Sequence, residues 1–438
     1  MAIDNKDKKV LKSSIEREQN EVACSAECEK IKGSKNLNVP PLRFPEFSGE
    51  WKCTTIGNIG DIKNGPFGSV LHAEDYVENG IPIVTTEHFK TGLMPSDKFG
   101  IPQVSNEDYI RLKGYRLETN DIVFSRVGSV DINAHVGIEQ NGWLFSGRVL
   151  RVRPKYDIDS LFLHYALSTE AVKRDIRNRA VGQTMPSINT PILSSTTIQL
   201  PKDLFEQKKV AHFLRLLDER IITQNKIIDK LKSLIKGLPH KMAEIGLQKG
   251  CWEKVLLSTV LVERKELNSE LYTVHSVSVS EGVINQIEYL GRSFAAKDTS
   301  NYHVARYGDI IYTKSPTGDF PYGIVKQSYI EQPVAISPLY GVYSPTSFET
   351  GVYLHYYFMS SVLAKNYLYP LIQKGAKNTI NISNQRFLEN RIALPLKQTD
   401  RHNIARALIT IQKKLDIEKC AMDSLTKQRS YLLQQLFI

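Results

Sequence analysis

The chain has 438 residues, too many for one hydrophobic core, and its hydrophobic content of 41% and charged content of 24% are ordinary for a soluble globular protein. The net charge of +10 favours a polyanionic partner. No apolar run reaches the ~20 residues of a membrane span, and the chain start lacks a signal-peptide core, so with five scattered cysteines we expect a reduced, cytoplasmic protein without a metal site.

The first residues are polar and rich in lysine and glutamate, and we expect residues 1–45 to form a flexible arm. The lead-in that follows is interrupted by Pro40, Pro41 and Pro45, which leaves no room for a helix before Trp51.

Residues 46–201 are typical of a mixed domain of short strands and loops. The strand candidates are Pro82–Thr86, Asp121–Arg126 and Gly147–Val152. We expect one helix from about Ser160 to Arg179, capped by Asp159 or Ser160.

Two stretches near-copy each other and predict long helices, at residues 202–248 and 397–438. In each copy the apolar positions alternate spacings of four and three, which is a heptad seam that one helix cannot bury alone. The polar residues Gln224 and Glu418 interrupt the seam at the same place in both copies, where a buried polar pair would set the register. The predicted seam residues are Val210, Leu214, Leu217, Ile221, Gln224, Ile228, Leu231, Ile235, Leu238, Ile404, Leu408, Ile411, Leu415, Glu418, Met422, Leu425 and Leu432.

We interpret the two stretches as an antiparallel coiled coil made from both halves of one chain. The alternative is two unrelated amphipathic helices that pack on separate cores. Most of the excess positive charge lies on these helical repeats, whereas residues 51–200 carry equal numbers of cations and anions.

Residues 249–396 repeat the plan of the first domain with loops of different length. The matching pairs are Trp51 with Trp252, Asn120–Phe124 with Gly308–Tyr312, Leu161–Tyr165 with Val352–Tyr356, and Leu200–Pro201 with Leu394–Pro395. The predicted fold class is therefore α+β, with two mixed domains that alternate with two long helices in a pseudo-twofold repeat.

Several stretches carry a family resemblance: Leu200–Pro201, Glu206–Ala211 and Leu216–Asp218 with Ile221, the lead-in Pro41–Phe47 with Trp51, and the loop Asn64–Ser69. Together with the order of domains and helices, they resemble the specificity subunits of type I restriction-modification systems from about residue 41 to 438. Two features depart from that pattern: the second domain lacks a counterpart of the Gly65–Ser69 loop, and the second helix begins Thr399–Asn403 in place of a Glu-Gln pair.

The resemblance implies two target-recognition domains, each of which reads one half of a bipartite sequence in double-stranded DNA. The helices would act as a spacer and as a platform for two methyltransferase subunits, joined by restriction/translocase subunits. The chain would be non-catalytic alone and would hold no cofactor. The adenine-N6 methyltransferase and ATP-dependent endonuclease activities would reside in the partners, which would use S-adenosylmethionine, ATP and Mg.

Polar loops at the ends of strands supply the candidate DNA contacts. In a Gly65–Ser69 loop the glycines let backbone amides approach a phosphate, and a phenylalanine can wedge against bases or sugars. Loops after the Asp121 and Asp309 strands, and before both closing strands, offer hydroxyl, amide and basic side chains. The candidates are Lys63, Gly65, Phe67, Gly68, Ser69, Arg126, Ser129, Arg148, Gln183, Thr184, Lys314, Ser315, Thr317, Lys374, Lys377, Asn378 and Thr379.

Each loop has a plainer interpretation as a solvated surface turn. The cations near the end of the predicted helix, Lys173, Arg174, Arg177 and Arg179, are favoured there by the helix dipole alone.

Two other functional classes remain open. One is a metal-dependent nuclease that uses Asp61 and Lys63 with Glu46 upstream, although so short a pattern recurs by chance. The other is a scaffold whose coiled coil joins proteins without contacting DNA. The sequence contains no GxxxxGK[ST] phosphate loop and no Asn/Asp-Pro-Pro-aromatic segment of adenine methyltransferases.

Overall fold

The computed structural model describes residues 38–66, 71–292, 294–374 and 380–438, and their contacts divide the chain into two units. The first unit comprises the chain up to Ile221 together with Ser424–Ile438, and the second unit is Ile222–Asp423. This division runs through both long helices. The predicted boundaries of the arm, domains and helices at residues 45, 201, 248 and 396 therefore stay predictions. The predicted arm lies outside the described residues up to residue 37.

The first unit is built on short strands arranged in two larger sheets and one closing pair. The strands are β1 Lys52–Thr55, β2 Gly60–Asn64, β3 Tyr76–Val77, β4 Ile81–Val84, β5 Gln103–Val104, β6 Ile122–Ser125, β7 Asn133–His135, β8 Leu144–Phe145, β9 Val149–Pro154 and β10 Thr197–Leu200. Among the described residues the sheet orders are β2-β9-β6-β7, which is antiparallel throughout, and β3-β5-β4-β8, in which β4 and β8 run parallel. Strand β1 pairs antiparallel with β10, with Lys52 opposite Leu200.

Side-chain alternation on β6 separates two hydrophobic cores. Ile122 and Phe124 pack with Phe162 of the helical layer. Val123 points the other way and packs with Phe145 of the second sheet. All of these side chains are fully buried, so the sheet β2-β9-β6-β7 is covered on both faces.

The helices of the first unit are α1 Ile56–Ile59, α2 Asn106–Arg111, α3 Ser160–Leu167, α4 Glu170–Arg179 and α5 Thr190–Ser194, followed by the first long helix, α6 Leu204–Gln248. Single 3₁₀ turns lie at Ala73–Asp75, Thr86–Phe89 and Lys113–Tyr115.

The prediction of one helix from Ser160 to Arg179 is wrong, because the chain forms α3 and α4 with a break at Ser168 and Thr169. Both hydroxyls turn back onto the preceding turn: Ser168 Oγ donates to the His164 carbonyl at 2.8 Å and Thr169 Oγ1 to the Ala166 carbonyl at 2.8 Å. Such local bonds compete with the helical pattern and end α3. The predicted cap at the start is confirmed, since the Asp159 side chain accepts from the Phe162 amide.

The second unit repeats this plan. Its strands are β11 Trp252–Leu256, β12 Leu261–Glu263, β13 Val274–Ser278, β14 Gly282–Asn285, β15 His303–Ala305, β16 Ile310–Tyr312, β17 Val325–Gln327, β18 Val334–Ile336, β19 Gly341–Pro345, β20 Gln373–Lys374, β21 Ile380–Asn381 and β22 Arg391–Pro395. Its helices are α7 Gln286–Leu290, α8 Phe348–Phe358, α9 Ser361–Leu368 and α10 Asn384–Phe387, with 3₁₀ turns at Leu257–Thr259 and Tyr369–Leu371, before the second long helix, α11 Gln398–Gln435.

The repeat extends to strand order and direction. In the described residues, β12-β19-β16-β17 corresponds to β2-β9-β6-β7, β13 and β18 pair parallel as β4 and β8 do, and β11 pairs with β22 as β1 does with β10. The α+β fold with an internal repeat is therefore confirmed.

A buried aspartate precedes the central strand in both units. Asp121 accepts from Arg153 Nε at 2.7 Å and from the Glu118 amide at 2.8 Å. Asp309 accepts from Arg264 Nε at 2.6 Å and from the Arg306 amide at 2.8 Å. Both carboxylates are almost completely buried, so this charged hydrogen bonding is what satisfies them.

The two long helices pair antiparallel, as predicted. In the first unit Arg429 Nε donates to Asp218 Oδ1 at 2.5 Å, and in the second unit Gln224 Nε2 donates to the Glu418 carbonyl at 2.9 Å and to its carboxylate. A later residue of α6 thus contacts an earlier residue of α11, as expected for helices that run in opposite directions. Each predicted seam residue is buried or half-buried.

The lead-in and the end of the chain both join the core of the first unit. The Leu42 amide donates to the Gln435 carbonyl at 2.9 Å. The Phe437 ring lies 5.1 Å from that of Phe162 and 6.2 Å from that of Trp51, measured between ring centroids. Residues from the two ends of the sequence thus close one hydrophobic cluster.

Candidate nucleic-acid interface

Two loops of the first unit meet in direct backbone contact at Gly65 and Gly147. The Gly65 amide donates to the Val149 carbonyl at 3.0 Å. A Cβ at Gly65 would lie 1.9 Å from the Ser146 oxygen, and one at Gly147 would lie 2.2 Å from the Pro66 oxygen. Both positions therefore require glycine, and the loops after β2 and β8 form one surface.

Arg126 joins a third loop to this surface. Its amide donates to the Arg148 carbonyl at 3.0 Å, and its guanidinium Nη1 donates to the Gly147 carbonyl at 3.0 Å. The guanidinium is half-buried and partly used within the protein. Arg126 therefore holds the loops in place, and only part of its guanidinium remains available to a ligand.

The loop before the closing strand is the fourth member of the cluster. The Gly128 amide donates to the Pro186 carbonyl at 2.8 Å, and the Ile188 amide donates to the Arg126 carbonyl at 2.9 Å. Val181 and Ser187 exchange two backbone bonds of 2.9 Å, which close a short loop with Gln183 and Thr184 at its exposed tip.

We call the surface formed by residues 65–66, 126–129, 146–148 and 181–188 the loop cluster. It unites the predicted residues Gly65, Arg126, Ser129, Arg148, Gln183 and Thr184, which lie far apart in the sequence. The side chains of Ser129, Arg148, Gln183 and Thr184 are exposed and free to meet a ligand. The predicted Phe67, Gly68 and Ser69 lie outside the described residues.

The loop cluster also exposes two apolar side chains that were not among the predicted contacts. Val181 is 65% exposed and Met185 is 63% exposed, on either side of the Gln183 tip. Exposed apolar groups beside polar donors suit contact with bases or sugars. The signal available in the sequence was that Val181 directly precedes a glycine and Met185 directly precedes a proline in a polar loop.

Several other cations of the first unit are engaged within the protein. Arg151 is buried beside Asp61, and burial lowers the pKa of its guanidinium. Lys63 Nζ lies 5.1 Å from the centroid of the Tyr115 ring, a cation–π distance. Arg153 pairs with Glu118 as well as with Asp121. Arg148, directly before β9, is thus exposed, whereas Arg151 and Arg153 on β9 and Lys63 on β2 are buried or half-buried.

The two arginines at the end of α4 are also occupied. Arg177 pairs with Asp131 at 2.5 Å and with Glu170. Arg179 pairs with Asp175 and donates to the Ile192 carbonyl at 3.0 Å. These bonds hold α4 against its neighbours and account for both arginines without DNA.

In the second unit the loop after the central strand is a separate tight hairpin. The Thr317 amide donates to the Phe320 carbonyl at 3.1 Å, and the Phe320 amide donates back at 2.9 Å. Ser315 and Thr317 are exposed. Lys314 is half-buried, and burial lowers the pKa of its ammonium while Glu263 opposes that effect.

Only part of the second predicted loop of this unit lies among the described residues. Lys374 stands in β20, with its backbone opposite Ile380. Lys377, Asn378 and Thr379 lie outside the described residues. In the described residues, therefore, the second unit supports its candidate surface mainly through the 314–320 hairpin.

The carboxylates of the nuclease hypothesis are engaged by different cations. Asp61 pairs with Arg151, and Glu46 pairs with Lys209 of the first long helix. Within the part of the chain that the structure describes, no three His, Cys, Asp or Glu side chains are grouped to hold a metal ion. The geometry thus offers no support for a metal-dependent centre at Asp61.

Among the described residues, no helix is both long enough and apolar enough to cross a bilayer.

Comparison with known proteins gives a consistent result. The family model of the type I restriction modification DNA specificity domain matches residues 48–233. The chain is 24% identical over 434 residues to the type I restriction enzyme MjaVIII specificity subunit of Methanocaldococcus jannaschii, covering 90% of this chain and 93% of that protein. It is 29% identical over 222 residues to the putative type I restriction enzyme MjaX specificity subunit of the same organism, covering 49% and 50% of the two chains.

The fold is also similar to a solved structure, the type I restriction-modification S subunit from M. genitalium. The TM-score is 0.57 at 16% sequence identity, and the match covers 91% of this chain and 99% of that one.

Proposed function

Because this chain belongs to the family of type I restriction-modification specificity subunits, we propose that its two mixed folds each read one half of a bipartite target in double-stranded DNA. The observation that carries the proposal is the repeat of one sheet plan in two units, each with polar loops beyond its central strand. Two similar readers on one chain suit a target of two short parts. The exposed donors of the loop cluster match the chemistry of base edges and phosphates.

The long helices serve in this proposal as a spacer. Helix α6 has 45 residues and α11 has 38, so each is longer than roughly 55 Å, whereas half-sites one DNA turn apart are separated by about 34 Å. The helical repeats also carry most of the excess positive charge, which suits either the DNA backbone or acidic partner surfaces.

The partners belong to the proposal as well. Two methyltransferase subunits bind the helices, and restriction/translocase subunits join them. This chain is then non-catalytic alone, while its partners carry adenine-N6 methylation with S-adenosylmethionine and ATP-dependent cleavage with Mg.

A methylation map tests the function directly. The chain is expressed with its neighbouring methyltransferase gene in a host without DNA methylation, and modified adenines are located across the genome. We expect one two-part motif with a fixed gap. An assembled complex that methylates no defined motif would refute the proposal and favour the scaffold hypothesis.

A pair of arginine variants tests the loop cluster. Arg148→Ala removes an exposed guanidinium from it, so methylation should fall, or one half of the motif should become degenerate, while the other half is unchanged. Arg177→Ala is the matched control, because its guanidinium is paired with carboxylates on α4. Equal effects of the two variants would contradict the assignment of the interface.

The nuclease hypothesis has its own test. The purified chain is incubated with plasmid DNA and Mg²⁺ or Mn²⁺, beside an Asp61→Ala variant. We expect no cleavage by either protein. Metal-dependent cleavage that disappears in Asp61→Ala would establish the rival function.

A further inference from the structure

Three side chains from three elements form one hydrogen-bonded network inside the first unit. Tyr165 of α3 donates its hydroxyl to Asp218 Oδ2 of the first long helix at 2.9 Å. Arg429 of the second long helix donates Nε to Asp218 Oδ1 at 2.5 Å and Nη2 to Oδ2 at 3.4 Å. Asp218 therefore connects the mixed fold of the first unit, which we call the first recognition fold, with both helices of the coil.

The network is largely withdrawn from solvent. Tyr165 is 2% exposed, and the side chains of Asp218 and Arg429 are 13% and 30% exposed. Burial, together with the neighbouring carboxylate, raises the pKa of the Tyr165 hydroxyl, so it remains a donor at neutral pH. Hydrogen bonds to a charged group in such surroundings are strong and directional, unlike apolar contacts, which tolerate sliding.

The described residues of the second unit form no equivalent hydrogen-bonded network although the fold is shared; the charge of Asp416 acts on Tyr356 there, without a hydrogen bond between them. The shift of 194 residues that superposes the helical repeats places Gln412 where Asp218 stands and Ile235 where Arg429 stands. Gln412 donates to Asp416 on its own helix, and Ile235 is 1% exposed within the hydrophobic core. Tyr356 takes the place of Tyr165.

The comparison shows that a recognition fold of this type packs on the helices without the network. Its role is therefore specific to the first unit. A buried polar group that is not needed for packing is best known as a device that selects one arrangement among several of similar stability.

We propose that Tyr165, Asp218 and Arg429 are positioning residues that hold the first recognition fold in one orientation on the long helices, and so restrict the number of base pairs tolerated between the two half-sites. The inference rests on the proposed bipartite function. It concerns the gap of the motif, whereas the sequence of each half-site is read by loops elsewhere in the fold.

The experiment uses the methyltransferase complex and scores every occurrence of the two half-sites at gaps one base pair shorter or longer than the native gap. The least invasive variant is Tyr165→Phe, which removes one hydroxyl from a buried ring. Tyr356→Phe is the matched control at the equivalent position of the second unit. A third variant combines Asp218→Leu with Arg429→Met, which replaces the charged pair with apolar side chains of similar size.

We expect Tyr165→Phe and the double variant to assemble normally and to keep both half-site sequences. Methylation at altered gaps should rise about tenfold over the wild-type level, because loss of a bond to a charged group removes roughly one order of magnitude of discrimination. Tyr356→Phe should leave the gap distribution as in the wild type.

The outcomes separate the two proposals. If the wild-type complex shows no bipartite motif, the proposed function itself fails. If it shows the motif and both network variants keep the wild-type gap distribution, the positioning inference is overturned. A loss of all methylation in assembled variants, without gain at other gaps, also overturns it.

Discussion

The end of the chain should stabilise the first recognition fold, although it lies about 240 residues beyond the closing strand of that fold. Phe437 is 5% exposed and packs on Trp51 and Phe162 in the core of the first unit. Replacing a buried phenylalanine with alanine leaves a cavity and typically costs about 3–5 kcal/mol of unfolding free energy. Two aromatic contacts are lost at once, so we expect Phe437→Ala to fall in this range.

The assay is hydrogen exchange followed by mass spectrometry. Peptides that cover β1 and β10 should lose protection in Phe437→Ala, whereas peptides that cover β16 and β19 of the second unit should not. The control is Ile438→Ala, since Ile438 is 44% exposed and its loss should change stability by less than about 0.5 kcal/mol. A loss under about 1 kcal/mol for Phe437→Ala, or equal deprotection of both units, would refute the argument.

Three further predictions concern single positions. Gly65→Ala should displace the loop after β2, because its Cβ would lie 1.9 Å from a carbonyl oxygen, and it should therefore weaken DNA binding in a gel-shift titration. Gly237 lies in a helix with open space around its Cβ, so Gly237→Ala should raise the free energy of unfolding by about 0.5–1 kcal/mol in denaturant titrations. Asp121→Asn removes the buried carboxylate from Arg153 and leaves the guanidinium with the exposed Glu118, so it should cost about 1–3 kcal/mol by the same unfolding assay, and an unchanged stability would contradict the role of this ion pair. Burial lowers the pKa of both His164 and His355 to about 3, below the unfolded value of 6.5. The contribution of each to stability is complete above pH 6.5 and falls with pH, by about 2 kcal/mol between pH 7 and pH 5. Urea titrations at both pH values should show the combined loss, and His164→Gln should remove about 2 kcal/mol of it; an unchanged pH dependence in this variant would contradict the argument.

Periodic and repeated features of the chain could be predicted from the sequence alone. The heptad spacing of both helical copies predicted an antiparallel coil, and the structure pairs Gln224 with Glu418. The matched tryptophans and the Asn120–Phe124 and Gly308–Tyr312 segments predicted a common scaffold. Such signals are strong because each rests on many residues whose side chains must share one face.

Local hydrogen bonds and contacts between loops could not be predicted in the same way. The break between α3 and α4 depends on two hydroxyls that bond to carbonyls of the preceding turn, and helical periodicity continues through it. The loop cluster depends on backbone contacts between distant segments, such as Gly65 with Gly147, 82 positions apart (147 − 65), and Arg126 with Ile188, 62 positions apart (188 − 126). Composition marked these loops as polar but could not indicate which of them meet.

The two units differ least in their strands and most in their loops and in their contacts with the long helices. Asp121 and Asp309 precede equivalent strands and accept equivalent amides, yet their arginine partners come from different strands, Arg153 on β9 and Arg264 after β12. The fold thus requires a satisfied buried carboxylate at this turn and leaves the source of the cation free. Attachment to the helices follows the same logic, with a charged network at Asp218 in one unit and apolar packing at Ile235 in the other. A scaffold that constrains few positions so strictly leaves its loops open to change, which is the property that a reader of varied DNA sequences needs.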